Sequence, residues 1–443
     1  SFIASIQMGQ LTDRIEAANE LASLAQDNDR NKKIIVEEGG VPPLLKLLKE
    51  TSSPDAQIAA ATALYNLAND QERARIIVGE AGVPIIVQVL GDSPMKVQIM
   101  VANLVAIMAG NDLVSQEDFA RQNVIRPLVT LLSFETFVDN PNPIAELSKH
   151  SIHSIVQINK EMERKNYRPY TTLFSNSHSE GSSRGGQHRR ERESEKSEVK
   201  LQLKISCAKA LWMLAGESIL NCRGITETKG LLCLAKLVEK EEGELQLNCL
   251  MTIMEITAAA ESNADLRRAA FKTNSPAAKA VVDQLLRVIK DLDNPSLQIP
   301  AVKSIGSLAR TFPARETRVV GPLVSQLSSS HQEVATEAAI ALKKFACPDN
   351  FLCIEHSKAI IDFNGVPPLM KLLRGTELHA LILLCYLALH VSNEPALEQA
   401  RVLTALEGAD HILAQQPELK ELVAKAVYQL NLYHSGSHSQ RLP

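Results

Sequence analysis

The sequence of 443 residues is poor in aromatic side chains, with ten Phe, six Tyr and one Trp making up 4% of the chain. Hydrophobic residues nevertheless make up 45%, so leucine, isoleucine, valine and alanine have to build the core. Strands prefer β-branched and aromatic residues, whereas alanine and leucine favour helices. The composition therefore argues against a β-sandwich and favours closely stacked helices.

Neither sign of charge dominates the chain, since 47 Lys and Arg face 51 Asp and Glu for a formal net charge of −4. Proteins that bind nucleic acid through their overall field are usually clearly basic. We therefore expect no nucleic-acid partner. Charged residues make up 22% of the chain, too few for a mostly disordered protein with this hydrophobic content.

The seven cysteines are odd in number and never form a Cys-x-x-Cys pair. We therefore expect packed thiols rather than disulfides, in a reducing compartment such as the cytosol or the nucleus. The longest strongly apolar run, Ala380 to Leu389, has ten residues and is too short to cross a bilayer. The chain starts at Ser1 without an initiator methionine, so we expect that a preceding segment was removed.

Sequence signatures of catalysis are also missing. The chain has no Gly-Lys-Ser/Thr phosphate loop and no His-Glu-x-x-His metal helix. His150 and His153 are spaced for one helix face, but no Cys or carboxylate cluster nearby completes a zinc site. Ser437 lies in a polar tail without the strand–turn–helix setting of a nucleophile elbow. The sequence thus predicts a non-enzymatic protein with no metal or other cofactor.

What the chain does contain is an internal repeat. The nine residues Gly40–Leu48 recur at Gly365–Leu373 with one difference, and Gly82–Leu90 is a third copy 42 residues after the first. A degenerate fourth copy lies at Asn123–Leu132. A period near 42 residues falls in the range of armadillo and HEAT arrays.

Each copy has the same local pattern. A short polar helix such as 29–38 ends at a glycine that can take the left-handed C-terminal position, and prolines follow in the first turn of the next helix. A third, alanine-rich helix then carries the pattern Ala-Leu-x-Asn-Leu-Ala at Ala63–Ala68. Third helices are predicted at 12–25, 54–69, 94–109, 198–215, 244–260, 295–310, 331–346, 376–391 and 418–431.

This pattern resembles the armadillo repeat, in which one short and two longer helices form a unit. The resemblance implies an all-α, right-handed superhelical solenoid whose third helices line a concave groove. It predicts a single array over residues 1–443, with eight full units and a partial one at the N-terminus, because no repeat buries its own apolar face alone.

One insertion interrupts the array at residues 133–197, between the second and third helices of a unit. Its first part has helical spacing at 144–159, whereas 174–196 is low in apolar residues and is predicted to be disordered. Residues 434–443 are expected to form a flexible tail. The insertion is either a tolerated surface loop or a regulatory element that is phosphorylated or contacts acidic lipid. Candidate phosphosites beside its arginines are Ser182, Ser183 and Ser194.

The predicted groove differs from that of importin α, where each third helix carries a Trp followed four residues later by an Asn. Asn66 occupies an Asn position, but Thr62 stands where the Trp would be. The sole tryptophan, Trp212, lies one residue before its helix's Asn position and is expected to point into the packing. The other pairs are Leu104 with Met108, Lys209 with Met213, Met251 with Glu255, Lys303 with Ser307 and Ile340 with Lys344. A basic nuclear-localisation peptide is therefore not the expected ligand.

Three lysines, Lys209, Lys303 and Lys344, instead place positive charge along the groove, an arrangement that resembles the β-catenin type with its acidic, extended partners. The amide of Asn66 offers both a donor and an acceptor to a partner backbone. We hypothesise that these four residues contact a partner. The alternative is that the lysines are merely solvated, since surface charge alone contributes little energy.

Two longer segments, Leu11–Leu48 and Ser53–Ala68, together with Tyr428–His434, are similar to the plant Armadillo Repeat Only family. The resemblance implies a non-enzymatic scaffold that brings GTPase-activating proteins to Rho-of-plants small GTPases at polarised plasma-membrane sites, where it confines tip growth. It also implies a helical domain before the array and a cytoplasmic protein that is recruited to the membrane. Acidic lipid could be contacted through this preceding domain as well as through the insertion. The alternatives are the substrate-binding array of a plant U-box ubiquitin ligase and, third, a nuclear-import adaptor.

Replacing Lys209, Lys303 and Lys344 by glutamate tests the acidic-partner hypothesis. We expect the affinity for an acidic, extended partner to fall about tenfold or more, because like charges would then face each other across the interface. The measurement is a titration of the partner against both proteins by calorimetry. An unchanged dissociation constant would remove the lysines from the binding site.

Overall fold

The computed structural model describes residues 1–137, 194–313 and 316–439, and these residues form helices, turns and bends without a strand. Every third helix is long and alanine- or leucine-rich, and eight of the nine described here end within three residues of their predicted bounds. The third helices are α2 (Leu11–Ala25), α5 (Pro54–Leu67), α8 (Met95–Asn111), α11 (Ser197–Ala215), α14 (Gly243–Ser262), α17 (Pro295–Ser307), α19 (Gln332–Ala346), α22 (Leu378–His390) and α26 (Lys420–Ser439).

Shorter helices lead into each third helix. A first helix usually begins at an Asn, Asp or Ser cap, and a second helix follows after a tight turn. The first helices are α3 (Asp29–Glu37), α6 (Gln71–Gly79), α9 (Leu113–Arg121), α12 (Ile219–Glu227), α15 (Ala264–Ala270), α20 (Cys353–Asp362) and α23 (Pro395–Gln399). The second helices are α1 (Phe2–Met8), α4 (Val41–Leu48), α7 (Gly82–Asp92), α10 (Ile125–Ser133), α13 (Gly230–Lys240), α16 (Pro276–Asp291), α18 (Val320–Gln326), α21 (Val366–Arg374) and α24 (Val402–Glu407), followed by α25 (Asp410–Gln415). Before α18, the first helix is replaced by two 3₁₀ turns, Ala309–Thr311 and Thr317–Val319.

The units share one hydrophobic core, which runs from Ile6 to Leu430. Consecutive third helices contact each other along the array, and so do neighbouring second helices such as α4 with α7 and α13 with α16. On α5 the buried side chains include Ala56, Ala60 and Ala63, so that adjacent helices approach closely without large rings between them. The scarcity of aromatic residues follows from this close stacking.

The turn between first and second helices combines a left-handed residue with a glycine that follows it. Gly40 has φ −71°, and the left-handed residue is its predecessor, Gly39, at φ +74°. Ala81 and Lys229 take the same left-handed position at φ +57° and +63° before Gly82 and Gly230. The left-handed position is therefore held by a glycine after α3, as predicted, but by other residues after α6 and α12. Gly40 is needed for space, because a Cβ there would lie 2.7 Å from the carbonyl oxygen of Ile35.

A buried glutamine joins the second and third helices, and sequence reasoning did not identify it. The side-chain Nε2 of Gln57 donates to the carbonyl of Leu48 at 3.2 Å, and Gln98 donates to Leu90 at 2.8 Å. Gln246 and Gln298 make the same bond to Val238 and Ile289. Each bond satisfies a carbonyl at the end of a second helix, where no backbone donor of that helix remains.

Around the predicted insertion, α10 ends at Ser133 and the next described helix starts at Ser197. Residues 138–193 lie outside the described part of the chain, and with them most of the predicted disordered stretch 174–196 and the predicted helix 144–159. At the other end, α26 extends to Ser439, which is six residues into the segment assigned to a tail, and 440–443 are again not described.

The turn glycines can be tested with a matched pair in one unit. A Cβ at Gly82 would lie 2.6 Å from the carbonyl oxygen of Ile77, whereas a Cβ at Gly79 meets nothing within 4 Å. We expect Gly82→Ala to lower the free energy of unfolding by about 1–3 kcal/mol through overpacking. Gly79→Ala should leave it unchanged or raise it by up to about 1 kcal/mol, because alanine favours the helix. Urea unfolding followed by circular dichroism measures both, and equal effects would contradict the steric explanation.

Candidate functional site: the groove of the third helices

The outward faces of the third helices form a surface that curves inward. Lys344 on α19 places its Nζ 2.8 Å from Oε2 of Glu261 on α14, although α17 lies between these two helices. The lysine passes over Gly306, where a Cβ would lie 3.7 Å from its Cδ and 2.9 Å from the Cα of Ala341. Side chains from helices two units apart meet only on a concave face. We call this face the groove.

The N-terminal part of the groove, formed by α5, α8, α11 and α14, is mostly uncharged. Its half-buried side chains combine aliphatic and thioether groups with two amides, and the charged exceptions lie on α11 and α14. The residues are Thr62, Tyr65, Asn66, Ile99, Met100, Asn103, Ile107, Lys209, Met213, Met251, Met254 and Glu255. Methionine adapts its shape readily to a partner surface.

On α8 the predicted groove pair is wrong. Leu104 and Met108 are fully buried in the core, and the half-buried residues at this register are Asn103 and Ile107. Successive residues of a helix are about 100° apart, so an error of one position moves a side chain from one face to another. The pair Met251 and Glu255 was placed correctly on the groove, whereas Ser307 is buried.

Asn66 lies on the groove, but its amide is already engaged within the chain. Its Nδ2 donates to the carbonyl of Ala22 on the preceding third helix at 2.9 Å. Asn248 makes a similar bond to Ile205, one unit apart at 3.3 Å. The amide therefore ties neighbouring third helices together. A contact with a partner backbone stays a prediction, for which the second N–H of Nδ2 and the side-chain oxygen remain.

Lys209 stands above the ring of Trp212, with Nζ 4.0 Å from the ring centroid. Trp212 is partly exposed beside this cation, so the expectation that it points into the packing is wrong. Its indole donates a hydrogen bond to Glu255 on α14. Burial raises the pKa of Glu255, and the bond from Trp212 and the charge of Lys303 oppose that shift. The centre of the groove thus links α11, α14 and α17.

The other two predicted lysines have acidic partners in the groove. Lys303 lies 3.6 Å from Glu337 on α19, and Lys344 is paired with Glu261. The surface around Lys303 and Lys344 is therefore internally neutralised rather than simply basic. Their contact with an acidic partner stays a prediction.

At the C-terminal end of the groove, Lys343 on α19 lies 3.0 Å from Nδ1 of His379 on α22. A neutral imidazole accepts from the ammonium, whereas an imidazolium would repel it. Burial and, next, the charge of Lys343 lower the pKa of His379, against the raising effect of Glu377 and Glu337. Burial also lowers the pKa of Lys343, with a further contribution from Lys344. Thr336 donates to Glu377 at 3.0 Å beside this pair.

The cysteines are core thiols or half-buried, and all seven are unpaired. Burial raises the pKa of Cys222, Cys233 and Cys385 to about 12, so these thiols are not activated for nucleophilic chemistry. Cys347 and Cys353 are half-buried near the turn between α19 and α20.

Among the described residues, no group of three or more His, Cys, Asp or Glu is arranged to hold a metal ion. Ser194 is exposed shortly before α11, whereas Ser182, Ser183, His150 and His153 lie outside the described residues. In the same part of the chain no single helix is long and apolar enough to cross a membrane, and α6 with α7, bent by 83°, meets that length and composition only as a pair.

Comparison with known proteins identifies the architecture. Residues 28–69, which form α3, α4 and α5, match the family model described as Armadillo/beta-catenin-like repeat. A solved structure, described as showing a phosphorylation switch in the interaction between cadherin and beta-catenin, is similar with a TM-score of 0.63 and 15% identity. That similarity covers 97% of this chain and 72% of the other. The fold is an armadillo-repeat solenoid.

Two further proteins share this likeness. An engineered protein from the Northeast Structural Genomics Consortium is similar over 97% of this chain and 98% of its own, with a TM-score of 0.58 and 22% identity. U-box domain-containing protein 12 of Arabidopsis thaliana is 35% identical over 85 residues, which is 19% of this chain and 13% of that relative. The armadillo solenoid described here therefore matches only a short stretch of that relative.

The contact between Lys343 and His379 predicts a pH effect. Because the pKa of His379 is lowered on folding, the unfolded chain binds the proton more readily, and this contribution to stability is lost as the pH falls below about 6.5. Lys343→Gln should raise the pKa of His379 and make stability less sensitive to acid. Lys344→Gln is the control, because Lys344 pairs with Glu261 rather than with His379. Histidine titration by NMR measures both, and an unchanged His379 pKa in Lys343→Gln would contradict the interpretation.

Proposed function

We propose that this armadillo solenoid is a non-enzymatic scaffold that binds protein partners along its groove. The observation that carries the proposal is a continuous concave face, built by third helices from successive units. Its side chains are mostly uncharged toward the N-terminus and charged further along the array. A face of this kind suits an extended or helical segment that contacts several units at once.

The two ends of the groove favour different partner chemistry. Around Ile99, Met100 and Met251 the surface is apolar, and Asn103 adds an amide beside it. Further along, Lys303 and Lys344 are held by glutamates in pairs that are partly exposed and therefore contribute little energy. An acidic partner segment can replace Glu337 or Glu261 at small cost. We infer a partner with apolar residues at one end of its binding segment and acidic residues at the other.

The resemblance to plant Armadillo Repeat Only proteins suggests which partners these are. We propose that the partners are GTPase-activating proteins of Rho-of-plants small GTPases. The protein is then a cytoplasmic scaffold that gathers these partners at polarised sites of the plasma membrane and so restricts tip growth. Phosphorylation at Ser182, Ser183 or Ser194, and contact with acidic lipid, are the proposed means of regulation.

The second candidate is the substrate-binding array of a plant U-box ubiquitin ligase, which the match to U-box domain-containing protein 12 favours. The two candidates differ in what the groove recruits. A scaffold binds a regulator of small GTPases, whereas a ligase array binds a protein that becomes ubiquitinated.

The groove can be tested with a half-buried groove position and an exposed position of the same unit. Asn103→Arg on α8 puts a cation into the apolar part of the groove, and Gln88→Arg on α7 adds the same charge on an exposed second-helix position. We expect the first change to weaken binding of a plant Rho-type GTPase-activating protein at least about tenfold, because it leaves a charge desolvated in the interface. The second should leave the affinity unchanged.

Binding is measured by calorimetry with the full chain, and GTP hydrolysis by the chain alone is measured beside it. An equal loss of affinity in both variants, or no loss in either, would show that the binding site lies outside the groove. If the GTPase-activating protein does not bind and the chain instead captures a protein that becomes ubiquitinated, the ligase array is favoured. Nucleotide hydrolysis by the chain alone would contradict the non-enzymatic proposal.

A further inference from the structure

A second surface lies outside the groove, at the edge where third helices end and first helices begin. Leu113 and Val114 open α9 and are 62% and 47% exposed, and Ile219 and Leu220 open α12 at 39% and 52%. The two helices are neighbours, since Nδ2 of Asn221 on α12 donates to the carbonyl of Gln116 on α9 at 3.2 Å. We call these four side chains the edge patch.

The repeat itself does not require apolar residues here. In three other units the first helix begins with exposed polar or small residues, which are Asp29 and Arg30 on α3, Gln71 and Glu72 on α6, and Ala264 and Asp265 on α15. Only α9 and α12, among these five helices, begin with two large aliphatic side chains. Four such side chains in adjacent units form a contiguous apolar surface, which indicates an interaction site.

Side chains cap both helices beneath the edge patch. The carboxylate of Asp112 is fully buried and accepts from the backbone N–H of Ser115 at 2.8 Å, and Arg75 pairs with it at 3.0 Å. The hydroxyl of Ser218 accepts from the backbone N–H of Asn221 at 3.2 Å. The carbonyls of both first turns accept hydrogen bonds within their own helices, so an extended strand would find no carbonyl acceptors here and could not form a regular ladder. A helix, whose own backbone is satisfied, needs no such ladder.

The spacing of the two helices and the charges around the edge patch restrict which kind of helix can bind there. Packed helices lie about 8–10 Å apart, a distance that a helix spans between residues i and i+7. Glu217 precedes α12 and Glu72 lies on the neighbouring first helix, and both are exposed. The nearby cation Arg121 is paired with Glu117, Asp265 is paired with Arg268, and Arg223 lies a turn further along α12. A second copy packed patch to patch would bring two acidic rims together, which is unfavourable.

We propose that the edge patch docks an amphipathic helix of a partner protein, with aliphatic anchors at i and i+7 and Lys or Arg flanking them. The anchors lie on Leu113 with Val114 and on Ile219 with Leu220, and the basic side chains lie beside Glu72 and Glu217. This surface does not depend on what the groove binds, and it gives the solenoid a second contact at its rim.

The test uses a synthetic helical peptide of about 20 residues, ~30 Å long, with leucines at i and i+7 and lysine flanks. Its fluorescence anisotropy is titrated with the full chain. Leu113→Ser combined with Leu220→Ser should weaken binding at least about tenfold through loss of two apolar contacts. Leu24→Ser combined with Ile34→Ser removes two side chains of similar exposure, 42% and 45%, and should leave the affinity unchanged.

A charge arm separates this occupant from others. Glu72→Lys combined with Glu217→Lys should weaken the binding of the lysine-flanked peptide and strengthen the binding of a glutamate-flanked version. The proposal is overturned if neither peptide binds, if the patch and control variants lose affinity equally, or if the glutamate-flanked peptide binds wild type better. It is also overturned if the patch variant abolishes self-association or binding to phosphatidylcholine vesicles, or if deleting residues 138–193 is needed before the peptide binds.

Discussion

The structure depends on one constraint, that no three-helix unit can bury its own apolar face. Each third helix is covered by the next, so the core is continuous from Ile6 to Leu430 and the length of the array is the length of its core. Alanines on α5 and glycines such as Gly82 let helices approach closely, and the buried glutamines Gln57 and Gln98 fix the angle between second and third helices. The groove is the outer surface of this stacking rather than a separate element.

Because the stack curves, side chains that are distant in sequence meet on the groove. Lys344 reaches Glu261 across Gly306, and Trp212 joins Lys209 to Glu255. These contacts neutralise much of the positive charge that the lysines bring. Such pairs are partly exposed and weak, so they order the side chains while leaving them open to exchange with a partner. The apolar part of the groove, around Met100 and Met251, has no such internal competitor, and hydrophobic contact there supplies affinity while charge supplies selectivity.

The edge patch differs from the groove in how it arises. Groove residues are distributed over every unit, whereas Leu113, Val114, Ile219 and Leu220 belong to two adjacent units. The same helix positions on α3, α6 and α15 are polar or small. A repeat architecture allows such local specialisation, because a change at the first turn of one exposed helix does not disturb the core of its neighbours. One solenoid can therefore hold two partners on different faces.

The period near 42 residues and the alanine-rich patterns determined the all-helical repeat architecture and the bounds of the third helices, because helical periodicity is a local property of the chain. The same local interpretation placed Leu104 and Met108 on the wrong face and expected Trp212 to be packed away. Each of these errors is a matter of one residue or one neighbouring helix. Only the tertiary structure decided that Asn66 bonds to Ala22 and that Lys344 pairs with Glu261. Such contacts follow from the curvature of the array, and curvature is set by packing between units rather than by the sequence of any one of them.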